Sequence, residues 1–364
     1  MLTVHPTILE DVLSITRDSQ IHWEKLRGKT VLVTGASGLI GSYVVYTLLC
    51  LNDREKMDIT VIGLVRNRTK AERQFSTLLD RSDFLLLVQQ VEDNISYHDV
   101  VHYIIHTASP TSPRSFVTDP IGVIKANTFG TNNLLEYSCT SHLEGFLYIS
   151  SREIYGESVS EMEHCSENEY GVVDPVLIRS CYPESKRLGE TLCVCYCSQY
   201  NLPVKIVRLA HVYGPDYNLD NGRVWGDFVT SVITNQNIVL KSEGLTRLAF
   251  TYVSDAVSGI FLVLLNGTEM VYNISDTSEI LSVYDLAEMI LSLVPDNTLR
   301  IVQDLSSDTS GYLKNKVPFL DATRIKMLGW KPHITLKEGF SRTIYYGSTC
   351  PTYSGKEKID LSPS

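Results

Sequence analysis

The chain has 364 residues, 43% of them hydrophobic, and a mean hydropathy of −0.01, enough to bury a sizeable core as one large domain or a domain plus a lobe. A net charge of −10 and a pI near 5.4 leave no global positive field for nucleic acid or an anionic membrane, so an anionic ligand must be met by local positive features. The sharpest apolar runs, Phe84–Val88 and Ile260–Leu265, are far shorter than a membrane span, and the N-terminal MLTVHPTILEDVLSITRDSQ lacks the apolar run of a signal peptide.

Residues 1–28 read as a helical extension whose Trp23 and Leu26 pack on the core. From Lys29 the chain alternates strand-like and helical stretches. The strands are TVLVT, ITVIGLV, FLLLVQQV, VVHYIIH, GFLYIS and PVKIVRLA. Between them lie LIGSYVVYTLLC, NRTKAERQFSTLL, DPIGVIKANTFGTNNLLEYS and PESKRLGETLCVCYCSQY. Apolar strands with little alternation, separated by helices, predict a doubly wound α/β fold with a parallel sheet covered on both faces, here over residues 29–215. After Gly214-Pro215 the rhythm shortens. Residues 216–346, opening with the polar loop DYNLDNGRV, predict a smaller C-terminal substrate-binding lobe with some segments returning to the core, and 347–364 a polar tail.

Eight cysteines are scattered along the chain. In CVCYC only Cys193 and Cys197 would share a helix face, and no Cys-x-x-Cys or histidine pair completes a metal set. No metal is expected. Free thiols of this kind fit a reducing, cytoplasmic setting.

The first predicted strand runs into Thr34-Gly35-Ala36-Ser37-Gly38-Leu39-Ile40-Gly41 and then an apolar helix. Gly35 would allow the tight turn, Gly38 a close approach of backbone to a pyrophosphate, and Gly41 close helix–strand packing. The helix N-terminus offers free N–H groups and a positive dipole end to phosphates. Between a strand and a helix this loop predicts dinucleotide binding; the plainer alternative is a structural turn. The second strand ends at Gly63-Leu64-Val65-Arg66-Asn67-Arg68. An acid there would accept from the ribose 2′-OH of NAD, whereas Arg66, with Arg68 nearby, would pair with the 2′-phosphate of NADP. NAD or NADP is therefore expected, with NADP favoured by Arg66; two solvated loop arginines are the alternative.

Next come Tyr148-Ile149-Ser150-Ser151-Arg152-Glu153-Ile154-Tyr155-Gly156, closing a strand, and Tyr182-Pro183-Glu184-Ser185-Lys186, opening a helix. Tyr182 and Lys186 are four residues apart and share a helix face. An ammonium there would favour the phenolate and lower the tyrosine pKa. Such a tyrosine takes the proton of a substrate hydroxyl while hydride leaves the same carbon for a nicotinamide, and Ser151 would hydrogen-bond the forming carbonyl.

Together these residues resemble the extended short-chain dehydrogenase/reductases, the nucleotide-sugar epimerase and dehydratase family. The resemblance runs from about residue 29 to 346 and includes His106-Thr107-Ala108-Ser109, Tyr213-Gly214-Pro215, Tyr252-Val253-Ser254-Asp255 and Phe319-Leu320-Asp321-Ala322-Thr323 with Leu328-Gly329-Trp330. Within the family, HTASPTSPRSFVTDPIGVIKANTFGTNNLLEYS, RSCYPESKR and NLDNGRV are similar to segments of UDP-glucuronate decarboxylases. The resemblance implies a catalytic Ser151, Tyr182 and Lys186, with Glu153 as a further acid–base group. It implies a nicotinamide dinucleotide lined by Gly35, Ser37, Gly38, Leu39, Ile40, Gly41 and Ala108, a nucleotide-sugar in the cleft between lobes, and a homodimer joined through helices. By the same likeness Asn127 lies behind Tyr182 and Lys186 and steadies the proton relay. Arg223 sits near the nucleotide or its phosphates, unless it is a surface arginine beside Asp220.

Four departures bear on the reaction. Arg152 stands where dehydratases of the family carry an aspartate, which argues against ordinary 4,6-dehydration although Glu153 remains. Leu248 stands where decarboxylases carry an arginine, and Arg247 is one residue early, so in a strand it faces the other way. Gln90 replaces an adenine-contacting aspartate. His211 replaces an asparagine in a pattern starting at Arg208; it is a nucleotide contact, an acid–base group or a structural histidine. Arg152 would suit a uronic-acid carboxylate at the C5–C6 end of the sugar, or it pairs with Glu163 or Glu153. Three functions follow: a nucleotide-sugar enzyme that oxidises C4, with net decarboxylation or epimerisation; a nucleotide-sugar reductase or dehydrogenase exchanging NADP(H), or a 4,6-dehydratase; and a non-catalytic dinucleotide-binding protein, against which the intact Ser151, Tyr182 and Lys186 weigh.

Overall fold

The computed structural model describes residues 2–157, 163–215, 219, 222–294, 298–306 and 317–350. Most of the polar loop after Pro215, and the tail beyond Cys350, lie outside the described residues. In chain order the strands are β1 Thr30–Thr34, β2 Thr60–Val65, β3 Phe84–Val88, β4 Tyr103–His106, β5 Gly145–Ser151, β6 His164–Cys165 and β7 Val204–Leu209. They continue with β8 His211–Tyr213, β9 Ile238–Leu240, β10 Arg247–Tyr252, β11 Val271–Ile274, β12 Ile280–Ser282, β13 Ile301–Gln303 and β14 Phe319–Leu320. The helices are α1 Pro6–Thr16, α2 Leu39–Glu55, α3 Arg68–Gln74, α4 Ser115–Thr118, α5 Pro120–Thr140 and α6 Cys181–Tyr200. After them come α7 Val224–Ile233, α8 Val253–Asn266, α9 Val283–Ser292, α10 Thr323–Lys326 and α11 Leu336–Thr349.

Seven strands form one parallel sheet in the order β11-β7-β5-β4-β1-β2-β3. The side-chain period of two divides its core cleanly. Val31, Val33, Val61, Ile105, Leu147 and Val207 join one apolar cluster with residues of α1, α2 and α8. Their sequence neighbours Leu32, Ile62, Ile104, Phe146, Tyr148 and Ile206 join another, with Ala126 and Leu134 of α5 and Cys193 of α6. Strands buried on both faces need unbroken apolar runs, which is what the sequence supplies. Two are shorter than those runs: β3 stops at Val88 and β4 begins at Tyr103, although the Gln89 N–H still reaches the Val65 carbonyl (3.0 Å) and the His102 N–H the Thr30 carbonyl (2.9 Å).

Helix ends follow local chemistry. Asp119 caps α5 by accepting from the Gly122 N–H, with Pro120 in the first turn, and Ser282 and Asp285 form a reciprocal capping box on α9. The N-terminal extension is tied down: α1 sends the buried Asp11 to the hydroxyls of Tyr43 (2.9 Å) and Tyr252 (2.8 Å) and to Arg342 (2.7 Å). Trp23 packs on Phe261, with ring centroids 5.0 Å apart.

Successive strands lead away from β1 in one direction through β2 to β3, and in the other through β4 to β5 and β7. Between β1 and β4 the strand order therefore reverses, and in open α/β sheets the crevice at the carboxyl ends of the strands there is where ligands bind. The remaining strands form three small sheets, β8-β10-β12, β9-β13 and β6-β14, with β8 following directly on the carboxyl end of β7, while β11 completes the edge of the main sheet.

Candidate active site

At the reversal point β1 ends in the glycine loop. Gly35 has φ +63°, and a Cβ there would come within 2.8 Å of the Ala108 backbone. A Cβ on Gly41 would run into the carbonyl oxygen of Gly35. The fold itself therefore demands both. Gly38 differs: it is extended at φ −85°, ψ 170°, and its nearest protein neighbour to a Cβ is the Gly35 oxygen at 3.2 Å. As the N-cap of α2 it carries no side-chain cap, so the first-turn N–H groups of Leu39 and Ile40 are left for a ligand. Behind the loop, the Thr34 hydroxyl meets His106 Nδ1 at 2.7 Å and accepts from the Ala108 N–H at 3.2 Å. The other His106 nitrogen meets the Thr131 hydroxyl at 3.1 Å, which ties β1, β4 and α5 together. Burial pushes the His106 pKa down to about 3, with the Lys186 charge adding to it, so the ring is a neutral strut.

Arg66, just past β2, is exposed and makes no hydrogen bond or ion pair among the described residues. Arg68 is not available in the way the sequence suggested: it opens α3 and donates to Glu72 at 3.0 Å, an i,i+4 pair on the same helix. Gln90 is exposed.

Ser151 is the last residue of β5, and Tyr182 and Lys186 lie in the first two turns of α6. The Ser151 hydroxyl caps the short 3-10 turn Arg152–Tyr155, accepting from the Glu153 N–H at 3.2 Å, and lies on the side of the Tyr182 phenol, whose pKa it lowers. The Tyr182 ring is buried and stacks on Phe116, centroids 4.6 Å apart at 26°. Lys186 is buried, donates to the Ile149 carbonyl at 2.8 Å and lies 4.8 Å from the Tyr148 ring centroid.

The ammonium is held by a carbonyl and an aromatic face and makes no hydrogen bond to the phenol in this structure. Burial, and then the Glu153 charge, push the Tyr182 pKa up to about 12; Ser151, Arg223 and Arg179 pull the other way. Burial brings Lys186 down to about 7 against the opposing charge of Glu190. Asn127 is buried behind the pair. Its Nδ2 donates to the Ser185 hydroxyl at 3.0 Å, while its Oδ1 is buried with no partner.

Beside Ser151, the Glu153 carboxylate is held through one oxygen by Arg179 (2.8 Å), whose guanidinium lies 4.3 Å from the Phe116 ring centroid; the other oxygen is buried and unpartnered. Arg152 is 9% exposed, its Nε has no partner, and among the described residues the side chain makes no hydrogen bond or ion pair. Glu163 is taken by Arg247 at 2.6 Å and Glu153 by Arg179, so neither neutralises Arg152 by contact. His211 opens β8 against Phe250, ring centroids 5.6 Å apart, and its Nε2 is also buried without a partner. Burial, then the charges of Arg152 and Arg223, hold it well below the usual histidine range. Arg223, just before α7, donates to the Thr111 hydroxyl at 2.8 Å and the Val212 carbonyl at 3.3 Å; Asp220 lies outside the described residues. Leu248 is buried.

Sequence reasoning missed Arg179 and Phe116, which grip Tyr182 and Glu153 from outside any motif. It also missed Glu190, which binds the buried Arg208 through both carboxylate oxygens (3.0 and 2.7 Å) and accepts from the Ser150 hydroxyl at 2.5 Å. A signal existed: Glu190 continues the four-residue spacing of Tyr182 and Lys186 along one helix face. In CVCYC, Cys193 is buried and Cys195 exposed.

Comparison with known proteins follows the same lines. The model of the NAD dependent epimerase/dehydratase family matches residues 31–275. UDP-glucuronic acid decarboxylase 5 of Arabidopsis thaliana is 30% identical over 311 residues, which are 85% of this chain and 86% of that protein. The crystal structure of UDP-glucose 4-epimerase from Thermotoga maritima, with UDP-glucose, matches at a TM-score of 0.71 and 25% identity over 87% of this chain and 98% of that one. The UDP-glucuronic acid 4-epimerase of Bacillus cereus, in complex with UDP-glucuronic acid and NAD, shares the fold at a TM-score of 0.71 and 22% identity, covering 87% of this chain and 98% of that one. Among the described residues no helix is long and apolar enough to cross a membrane.

Proposed function

The chain belongs to the NAD dependent epimerase/dehydratase family, and on that premise we propose that it oxidises C4 of a nucleotide-linked uronic acid, of the UDP-glucuronate type, with loss of the C5 carboxylate as the net outcome. The observation that carries the reading is Ser151 at the end of β5 facing the buried Tyr182 phenol, with Lys186 one turn along α6 and the glycine loop at the end of β1, two strands away in the same sheet.

The residues fit a dinucleotide. Gly38 has more room within the protein than Gly35 or Gly41, so a ligand gives it a reason to be glycine; the uncapped start of α2 suits a pyrophosphate. Ser37, Gly38, Leu39, Ile40 and Ala108 would hold it, with Asn127 behind the nicotinamide end. When bound, NAD supplies the acceptor, and afterwards the donor, of the C4 hydride. Tyr182 takes the proton of the C4 hydroxyl and Ser151 hydrogen-bonds the same oxygen as it becomes a carbonyl. A ketone at C4 makes the C5 carboxylate a β-keto acid, so the bond to the carboxyl carbon breaks, carbon dioxide leaves, and its electron pair stays on C5 as an enolate. Glu153, with one oxygen fixed by Arg179 and the other unengaged, is the group we assign to proton exchange at C5. Epimerisation is a second reading, since oxidation at C4 also permits return of hydrogen to the other face.

NADP acceptance rests on Arg66 alone, because Arg68 is paired with Glu72. A homodimer is supported by apolar side chains left exposed on the paired helices α5 and α6, including Ile121, Phe129, Leu188 and Val194. The free thiols suit a cytoplasmic setting.

Tyr182→Phe tests the reading. It should keep the fold and bind both ligands, yet lose about 10²–10⁴-fold in turnover, the usual worth of a positioned base. Ser151→Ala should lose less. Near-wild-type turnover by Tyr182→Phe on any accepted nucleotide-sugar overturns the mechanism.

A further inference from the structure

We infer that Arg152 and His211 together form the subsite that recognises the carboxylate of the sugar, Arg152 by charge and His211 through a hydrogen bond. The inference rests on the C4-oxidation reading above and names the residues that set its substrate class.

Strand register brings the two together. Ser151 pairs with Leu209 on adjacent parallel strands, so Arg152 follows the end of one strand and His211 lies two residues beyond the end of the other. Ala210, the residue before His211, packs against the cluster of Ile154 and Tyr155 in the turn that carries Arg152. Each side chain keeps a buried nitrogen without a partner, Nε of Arg152 and Nε2 of His211. A buried guanidinium without a bonded counter-ion is costly unless something compensates it. Among the described residues, the two acids the sequence offered Arg152 are engaged by other arginines, Glu163 by Arg247 and Glu153 by Arg179, so the Glu153 charge reaches it only through space. On β10, Leu248 is apolar and Arg247 is in that surface pair, so that strand brings no competing cation.

The chemistry of the missing partner follows. It is anionic, because it must offset Arg152, and it accepts hydrogen bonds. It lies at the reacting end of the sugar, because Arg152 sits in the chain between Ser151 and Glu153. That position favours a carboxylate on C5 over the diphosphate. Burial, and then the charges of Arg152 and Arg223, hold the imidazole well below the usual histidine range, so its N–H can add a hydrogen bond without adding a third positive charge.

The test uses the full chain with NAD in the Tyr182→Phe background, where ligands bind without turning over. UDP-glucuronate and UDP-glucose, which differ only in carboxylate against hydroxymethyl, are titrated by calorimetry. Arg152→Met should weaken UDP-glucuronate about 10- to 100-fold, the scale of a charge-assisted hydrogen bond, and leave UDP-glucose nearly unchanged. His211→Phe should show the same selectivity with a smaller loss, about 3- to 10-fold. Arg152→Lys should recover part of the loss. Ligand-free Arg152→Met should melt no lower than its parent, since it removes a buried charge that no hydrogen bond or ion pair holds among the described residues; a structural arginine would lower the melting temperature. Equal weakening of both ligands would make Arg152 a phosphate or packing residue and overturn the inference, as would unchanged binding of UDP-glucuronate. If wild type oxidises UDP-glucose in a Tyr182-dependent way and ignores UDP-glucuronate, the carboxylate subsite fails while C4 oxidation stands. If it binds neither nucleotide-sugar, both fall.

Discussion

Arg208 and Arg152 are both buried and stand near the ends of adjacent strands, one at position 208 of β7 and the other just after β5. Arg208 is fully engaged: its guanidinium forks onto Glu190, and one nitrogen also donates to the Tyr155 hydroxyl (2.8 Å) and the Glu167 carbonyl (3.0 Å). These partners drive its pKa upward despite burial, whereas burial pulls that of Arg152 down. The same side chain is thus a strut in one place and an open valence in the other. The contrast extends across the molecule. Gly35, Gly41, His106 and Arg208 are satisfied or required by the protein itself, whereas Gly38, Arg66, Arg152 and His211 are not. The first set should govern stability and the second binding.

The largest effect should come from breaking the strut. Arg208→Met leaves Glu190 buried and unpaired and should cost about 3–5 kcal/mol in urea unfolding, a penalty Arg152→Met does not share. Equal costs for the two substitutions would erase the distinction. In the glycine loop, Gly38→Val should abolish NAD binding by calorimetry with the melting temperature kept, whereas Gly41→Val should fail to fold stably because its side chain meets the Gly35 backbone. A folded Gly38→Val that binds NAD normally would remove the loop from the cofactor site.

Smaller effects sharpen the same line. Arg66→Asp should shift preference from NADP towards NAD by about 1–3 kcal/mol without touching stability; unchanged affinities for both would take Arg66 out of the site. His106 should act on stability through pH. Its pKa falls from 6.5 in the unfolded chain to about 3 in the fold, so between those values the unfolded state binds more protons. Its contribution is complete above pH 6.5 and is lost as pH falls towards 3. Unfolding free energy should therefore drop on acidification, and His106→Gln should flatten that slope by up to one proton, about 1.4 kcal/mol per pH unit. An identical slope in the variant would mean the ring is not held neutral.

How much of this the sequence revealed depends on the range of the interaction. The glycine loop, Ser151 and the Tyr182–Lys186 pair were legible because turn chemistry and helical spacing are local. The parallel sheet was legible because double burial writes continuous apolar strands. Arg152 was not: whether it pairs with Glu163 or Glu153 depends on Arg247 and Arg179, which approach from other parts of the chain. Spacing put Lys186 on the tyrosine's face, but that the Ile149 carbonyl near the end of β5 takes its ammonium is a contact between distant parts of the chain. Arg68 looked open until α3 brought Glu72 one turn below it.

The central claim, oxidation at C4 leading to loss of the carboxylate, is tested most directly by incubating the full chain with NAD and UDP-glucuronate and reading the nucleotide-sugar by mass and NMR. The account predicts a UDP-pentose, lighter by carbon dioxide, formed by wild type and not by Tyr182→Phe. UDP-glucuronate recovered unchanged, at C4 as elsewhere, from protein shown to bind both ligands would contradict it.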